Sequence, residues 1–368
     1  MRKFSKIAAV AMVASVTLAG CGKSNDNNDT GSNQIVDVCP GSTGDGPKVG
    51  LAFDVGGVGD GSFNDAATVG MKKAIDELGA SCVSATPGGS SENDTQRAER
   101  LRTLAEAGYN PVIGVGFIYT AAASEVAPDF PDISFAVVDG YTSCGKACGL
   151  PNDASANLAD LTFTEEQGSF LVGVAAALKT EAKRVGFVGG THGDLIKKFE
   201  AGYTAGVHAI DPSIKVDVTY LTEDPNDGIT GFQNPPGGKV AAQGLLDKGD
   251  DVIYHAAGKS GLGVFEAVAA AGDGKWAIGV DSDQWLTASD SEKSHILTSM
   301  IKRVDTAVFN EVKSVVDGSP LTGGNVFDLA HDGVGYSTSG GFVDDIKAQI
   351  DEYAAKIKSG EIKVPTAP

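Results

Sequence analysis

The chain is short of cations. Its 29 Lys and Arg stand against 48 Asp and Glu, a formal balance of −19 at pH 7. Nucleic-acid binding needs a basic footprint, so this surface argues against it while leaving room for one small neutral ligand in a cleft. Metal ligands are also sparse. The five histidines (His192, His208, His255, His295 and His331) are scattered, which disfavours a structural zinc site. Long apolar runs are missing, because the one candidate, residues 7–18, is too short to span a bilayer. Enzyme signatures fail as well. Gly258-Lys259-Ser260 resembles the end of a phosphate loop, but Ile253 stands where that motif requires glycine. The glycines at 56, 57, 59 and 61 do not make G-x-G-x-x-G, and neither H-E-x-x-H nor G-x-S-x-G occurs. No cofactor, metal or catalytic residue is therefore expected.

The N-terminus reads as an export signal. Arg2, Lys3 and Lys6 precede the apolar run, and Leu18-Ala19-Gly20-Cys21 resembles a bacterial lipobox. Residues 1–20 are thus expected to be a leader. Cys21 would be lipidated and hold the chain on the extracytoplasmic face of the cell membrane. Removing those three cations from −19 leaves −22. Residues 24–46 are rich in Ser, Asn, Asp and Gly, so 21–47 is expected to be a flexible tether. An exported chain with four further cysteines suggests disulfides. Cys144 and Cys148 close a tight loop, which leaves Cys39 with Cys82 by elimination.

From residue 48 onward, strand-like and helix-like segments alternate, which implies an α/β fold of βαβ units with parallel sheets. The opening unit is an apolar run at 49–53, a glycine-rich turn and a helix. Ser62 and Asp65 have the spacing of a capping box, and Val69, Ala74 and Leu78 are placed on the core face. A helix over 94–107 puts Arg97, Arg100 and Arg102 outward. Gly189-Gly190 is read as a turn after a strand at 184–188. The rhythm restarts near residue 160, which suggests two lobes. Their expected extents are 48–160 with about 277–322, and 161–276 with about 323–360.

Strand ends carry the candidate site, since loops at that edge of a parallel sheet line the cleft. The candidates are Asp54, Phe63, Asn64, Gly116, Phe117, Asp139, Gly258, Asp281 and Lys302. Phe63 can stack on a flat ring, and Asn64 offers a donor and an acceptor to a base edge or a hydroxyl. Asp281 can accept two hydroxyl hydrogens of a sugar diol. Lys302 can donate to the same sugar or neutralise Asp281.

Several segments match one family in order: VGLAFDVGGVGDGSFNDAATVG from 49, IGVGF at 113–117, VGFVGG and LIKKFEAGYTAGV within 185–207, IGVDSDQ at 278–284, and TSMIKRVDTAVF at 298–309. They resemble the basic membrane protein family, the PnrA-like nucleoside-binding lipoproteins of bacterial ABC transporters. The resemblance implies a type I periplasmic-binding fold, with two Rossmann-like lobes closing about a hinge. It implies a nucleoside ligand, with a purine nucleoside foremost, and an ABC permease as partner. By motif, Phe63 and Phe199 would sandwich the base and Asn64 would read its edge. Asp281 with Lys302 would hold the ribose, and Asp54 and Gly258 would line the cleft. Lys259 and His192 depart from the family pattern near the cleft. A sugar or other small polar solute on the same fold, a surface receptor or antigen, and a nucleoside hydrolase are the competing readings.

Overall fold

The computed structural model describes residues 35–37, 42, 44–85 and 92–368. The leader, Cys21, Cys39 and most of the expected tether lie outside them. The first unit runs β1 (Ile35–Asp37), β2 (Lys48–Phe53), α1 (Phe63–Leu78), β3 (Ser81–Ala85), α2 (Asp94–Glu106), β4 (Val112–Val115), α3 (Thr120–Val126), β5 (Phe135–Val138) and β6 (Leu158–Phe163). The second runs α4 (Glu165–Lys179), β7 (Arg184–Thr191), α5 (Asp194–Ile210), β8 (Lys215–Thr222), α6 (Gly228–Phe232), α7 (Pro235–Asp247), β9 (Val252–Ala256), α8 (Gly261–Ala271), β10 (Trp276–Asp281), α9 (Asp290–Lys293) and β11 (Ile296–Lys302). α10 (Val304–Val316), β12 (Gly323–Phe327), β13 (Val334–Tyr336) and α11 (Lys347–Lys358) close the chain.

The strands form two sheets, ordered β1-β3-β2-β4-β5-β6-β12 and β13-β11-β10-β9-β7-β8. All neighbours are parallel except the edge strands β1 and β13. β4, β5 and β9 are buried along their whole length, as strands must be when helices cover both faces. Among the described residues no helix is long and apolar enough to cross a membrane.

The lobe extents need correction. β10 and β11 belong to the second sheet, because β10 pairs with β9 and β11 with β10, continuing the βαβ run. β12 returns to the first sheet, parallel to β6. Of 277–322, α10 goes with the first lobe: it packs on α1 so closely that a Cβ on Gly70 would lie 2.3 Å from the Asp305 carbonyl oxygen. The chain therefore passes between the lobes three times, around residues 164, 303 and 328. The tether also ends sooner than expected, since Ile35–Asp37 pairs antiparallel with β3. This pairing supplies partners for the backbone groups of a sheet edge.

Three local expectations change. Val69 is 57% exposed, while Ala74 is buried as expected, together with Ala66, Ala67, Gly70 and Met71, a face phased by i, i+3 and i+4 spacing. Arg100 turns inward. Its guanidinium meets the Tyr119 hydroxyl and the Glu92 carboxylate, the latter at 2.9 Å, while Tyr119 donates to the Phe53 carbonyl at 2.8 Å. Gly189-Gly190 is not a turn but the continuation of β7. A Cβ at either would stand 2.5 Å from the Tyr220 ring or 2.3 Å from the Phe232 ring, so these glycines serve close packing. Cys144 and Cys148 are disulfide-bonded, with Cα atoms 5.7 Å apart. Cys82 is also in a disulfide.

Candidate ligand-binding site

A cavity of about 560 Å³ lies where the carboxyl ends of both sheets' strands converge. Asp54 follows β2, Gly116 and Phe117 follow β4, and Asp139 follows β5. From the second sheet come Ala256 at the end of β9, Asp281 at the end of β10 and Lys302 at the end of β11. Leu195, Ile196 and Phe199 reach in from α5, and Gly258, Lys259 and Phe232 complete that wall. Parallel strands deliver their C-terminal loops to one edge, which is why residues so far apart in sequence meet here. Asp54, Phe63, Asn64, Gly116, Phe117, Phe199, Gly258, Asp281 and Lys302 all line this one cavity. His192 does not. It pairs with Glu223 at 2.7 Å and packs on the Tyr220 ring.

The start of α1 is built differently from a capping box. Ser62 occupies the N-cap position without using its side chain there. The Asp60 carboxylate caps the helix instead. It accepts from the backbone N–H groups of Ser62, Asn64 and Asp65 at 2.9, 2.9 and 3.1 Å. Asp65 folds the preceding loop down by accepting from the N–H groups of Gly59 and Gly61 at 2.7 and 2.8 Å. Burial raises the Asp60 carboxyl above its ordinary range even against these hydrogen bonds. Asp60 also takes the Asn64 Nδ2 at 3.0 Å, which fixes the amide with Oδ1 as its remaining acceptor.

Sheet ends set the charges. Asp139 and Asp281 both adopt left-handed backbone, with φ of 61° and 64°, at the ends of β5 and β10. Non-glycine residues in that region carry strain that clusters at functional sites. Lys302, 2% exposed, donates to Asp139 Oδ2 at 2.6 Å and lies 3.8 Å from Glu165 Oε1. Its Nζ also sits 4.9, 5.0 and 5.7 Å from the ring centres of Phe63, Phe163 and Phe199, within cation–π range. Burial alone would lower the Lys302 pKa. Asp139, Asp281 and Glu165 together outweigh it and raise the value, so the ammonium stays charged. Lys302 thus hydrogen-bonds Asp139 rather than Asp281.

Asp281 answers to the other lobe. Its Oδ2 accepts from the Ser62 hydroxyl at 3.1 Å. Burial pushes its carboxyl up to about 6, with Lys302 pulling it down and Asp139 and Asp60 pushing further up. Burial likewise pushes Asp54 up to about 7, against the Val55 N–H bonded to it at 2.6 Å. Gly116 (φ 118°) makes room for Asp54, since a Cβ there would fall 2.2 Å from Asp54 Oδ2. Three buried acceptors of the lining have no hydrogen-bond partner among the described residues: Asn64 Oδ1, Asp139 Oδ1 and Asp281 Oδ1. Buried polar atoms are normally satisfied, so a ligand that completes this site brings donors.

Sequence reasoning missed Asp60, Val55, Ile196 and Phe232 as lining residues. A carboxylate two residues before a helix N-cap was a usable signal for Asp60. Phe232 lies on a five-residue helix with no periodicity to expose it.

The family model for PnrA-like ABC transporter substrate-binding proteins matches residues 48–367. A CD4+ T-cell-stimulating antigen of Listeria innocua is 34% identical over 387 aligned positions, covering 100% of this chain and 99% of its own. The ABC transporter nucleoside-binding protein BmpA of Lactococcus lactis is 29% identical, with 98% of each chain covered. Among solved structures, an ABC transporter solute-binding protein of Aeropyrum pernix K1 superposes with a TM-score of 0.73 at 28% identity, over 87% of this chain and 93% of its own. The fold is that of the type I periplasmic binding proteins.

Proposed function

The chain belongs to the PnrA-like family of ABC transporter substrate-binding proteins, and from that premise we propose that its cleft captures a nucleoside, a purine nucleoside foremost, for delivery to the transporter's permease. As a substrate-binding protein it would work with a small solute and a permease. The observation that carries the nucleoside reading is the pairing of rings with orphan acceptors. Phe63 from the first lobe and Phe199 from the second flank the same ammonium, at 4.9 and 5.7 Å. Asn64, Asp139 and Asp281 each hold a buried oxygen awaiting a donor. A flat base with an N–H edge and a ribose diol supplies both the face for the rings and the hydrogens for the oxygens. Asp54, Asp60, Asp139 and Asp281 outnumber the lining cations Lys259 and Lys302, which disfavours an anionic solute such as a nucleotide.

In this reading Phe63 and Phe199 take the base, Asn64 its edge, and Asp281 with Lys302 the ribose. Asp54, Gly116, Phe117 and Gly258 shape the wall. Lipidation of Cys21, which lies outside the described residues, would keep the protein at the extracytoplasmic face beside its permease. Isothermal titration with adenosine, guanosine, inosine, uridine, ribose, free bases and a nucleoside 5′-monophosphate tests the ligand. Binding of nucleosides with exclusion of the monophosphate is expected. No heat with any nucleoside would remove the proposal, and heat with ribose alone would turn it into a sugar site. Metabolic labelling of Cys21 with a lipid precursor tests the anchor.

A further inference from the structure

The Ser62 side chain has been released from the duty its position assigns. A serine at an N-cap normally accepts from the first turn, and here the Asp60 carboxylate does that work. The Ser62 hydroxyl, fully buried, instead reaches out of the first lobe. It donates toward the Val280 carbonyl at 3.0 Å and Asp281 Oδ2 at 3.1 Å, both at the end of β10 in the second lobe. The Ser282 hydroxyl reciprocates by donating to the Ser62 carbonyl at 3.0 Å. The two lobes thus exchange hydrogen bonds through one serine from each side. The same seam brings a Cβ on Gly61 to within 3.6 Å of Thr287 Oγ1.

We propose that Ser62 and Ser282 form a reciprocal clasp that holds the lobes closed and orients Asp281 toward the solute, Ser62 acting as a positioning residue. The proposal rests on the reading of this cavity as the solute site. Asp281 has two carboxylate oxygens with different tasks. Oδ2 is held by Ser62, while Oδ1 is buried with no partner among the described residues and remains for the ligand. When the lobes part, Ser62 leaves, Asp281 loses its fixed orientation, and Oδ1 is no longer set against the ligand. Closure and a competent carboxylate are then one event.

The substitution is clean for a structural reason. Ser62→Ala removes no helix cap, because Asp60 supplies it. When the lobes are together it takes from Asp281 Oδ2 its Ser62 donor, while the Val280 carbonyl keeps the Ser282 N–H at 2.8 Å. Loss of a buried hydrogen bond of this kind corresponds to about 5- to 30-fold in an equilibrium constant. With inosine as probe, S62A is expected to release nucleoside about 5- to 30-fold faster in stopped flow, with little change in the association rate. S282A should act in the same direction and Ser282→Thr, which keeps the hydroxyl, should restore slow release. A purely local structural role would instead lower the ligand-free melting temperature and leave the release rate alone.

A second measurement reads closure directly, with and without nucleoside. A Cβ at Gly228 in the second lobe would lie 3.1 Å from Val55 Cγ2 in the first, close enough for an engineered bridge. The Val55→Cys, Gly228→Cys chain should oxidise to an interlobe disulfide, and the same chain carrying S62A should do so more slowly. Equal trapping rates in the two chains, with and without inosine, would overturn the clasp. Failure of inosine to bind the parent chain counts against the nucleoside reading alone.

Discussion

Glu311 is a carboxyl placed where water does not reach. It lies on α10, which packs on α1, the helix that presents Phe63 and Asn64. Its side chain is fully buried, and neither Oε1 nor Oε2 has a hydrogen-bond partner among the described residues. Burial is the sole cause that pushes its carboxyl from 4.5 up to about 8. Between those values the native chain keeps a proton that the unfolded chain releases. Stability contributed by this group is therefore complete below about pH 4.5 and is lost as pH rises through about 8. At about 1.4 kcal/mol per pH unit, that interval amounts to roughly 5 kcal/mol. Native-state relaxation and water entry reduce it, so a loss of about 2–5 kcal/mol is expected.

The perturbation is Glu311→Gln, which keeps shape and polarity but cannot ionise. Urea denaturation of both chains from about pH 4.5 to about pH 9 gives the difference curve. Asp54, up at about 7, and Asp281, up at about 6, lose stability in the same direction as pH rises. His255, held down near 3 by burial, has the opposite sign and gains stability as pH rises toward 6.5. These contributions cancel in the difference, because no charged group among the described residues shifts Glu311. E311Q should match the parent near pH 4.5 and exceed it by about 2–5 kcal/mol above pH 8. A constant difference across the range would mean that Glu311 is not held protonated, and the burial argument would be wrong.

Three further outcomes follow from the site. Phe63→Ala should weaken nucleoside binding by about 1–3 kcal/mol in isothermal titration, and unchanged affinity would take the ring out of the site. Lys302→Met leaves Asp139 buried without its partner among Asp281 and Glu165, so chemical denaturation should show a loss of about 3–5 kcal/mol at neutral pH; a loss near zero would mean that the pair is not a net support. Nucleoside affinity should fall as pH drops through about 6, because a protonated Asp281 offers fewer acceptors, and Asp281→Asn should bind weakly with that inflection gone. An inflection that survives in the variant would assign the titration to another group.

Much of the architecture was legible because parallel βαβ chemistry is local. The apolar runs, the glycines that follow them and the amphipathic helices each declare themselves within a short window, and the run at 49–53 and the helix over 94–107 come out within one residue of their expected ends. The site residues were legible for a related reason. A parallel sheet sends every strand's C-terminal end to one edge, so Asp54, Gly116, Asp139, Asp281 and Lys302 had to share that edge whatever the strand order. Phe199 was different: its residue type and spacing fit a core helix equally well, and the family resemblance singled it out. Arg100 read as outward because a charged side chain carries no signal for burial of its own, even beside the core residue Leu101. The Tyr119 hydroxyl and the Glu92 carboxylate, brought up from elsewhere in the chain, help to make its burial tolerable.

Pairings within the site were not legible, and the reason is the one that misplaced the lobes. With β10 and β11 assigned to the first lobe, Asp281 and Lys302 appear to be each other's natural counter-charges. In the second sheet they are neighbours by strand order, Asp281 lying level with Ile301, yet each finds its hydrogen-bond partner in the first lobe. Lys302 takes Asp139, 163 positions away, and Asp281 takes Ser62, 219 positions away. Local spacing carries no information about such contacts, because they depend on how two separately folded sheets face each other. They also have a consequence that a pairing of Lys302 with Asp281 would lack. An ion pair confined to one lobe is indifferent to closure, whereas an ammonium and a carboxylate that both need the opposite lobe tie the site's electrostatics to the position of the hinge. The charges that would receive the solute are therefore in their working arrangement only while the lobes are together.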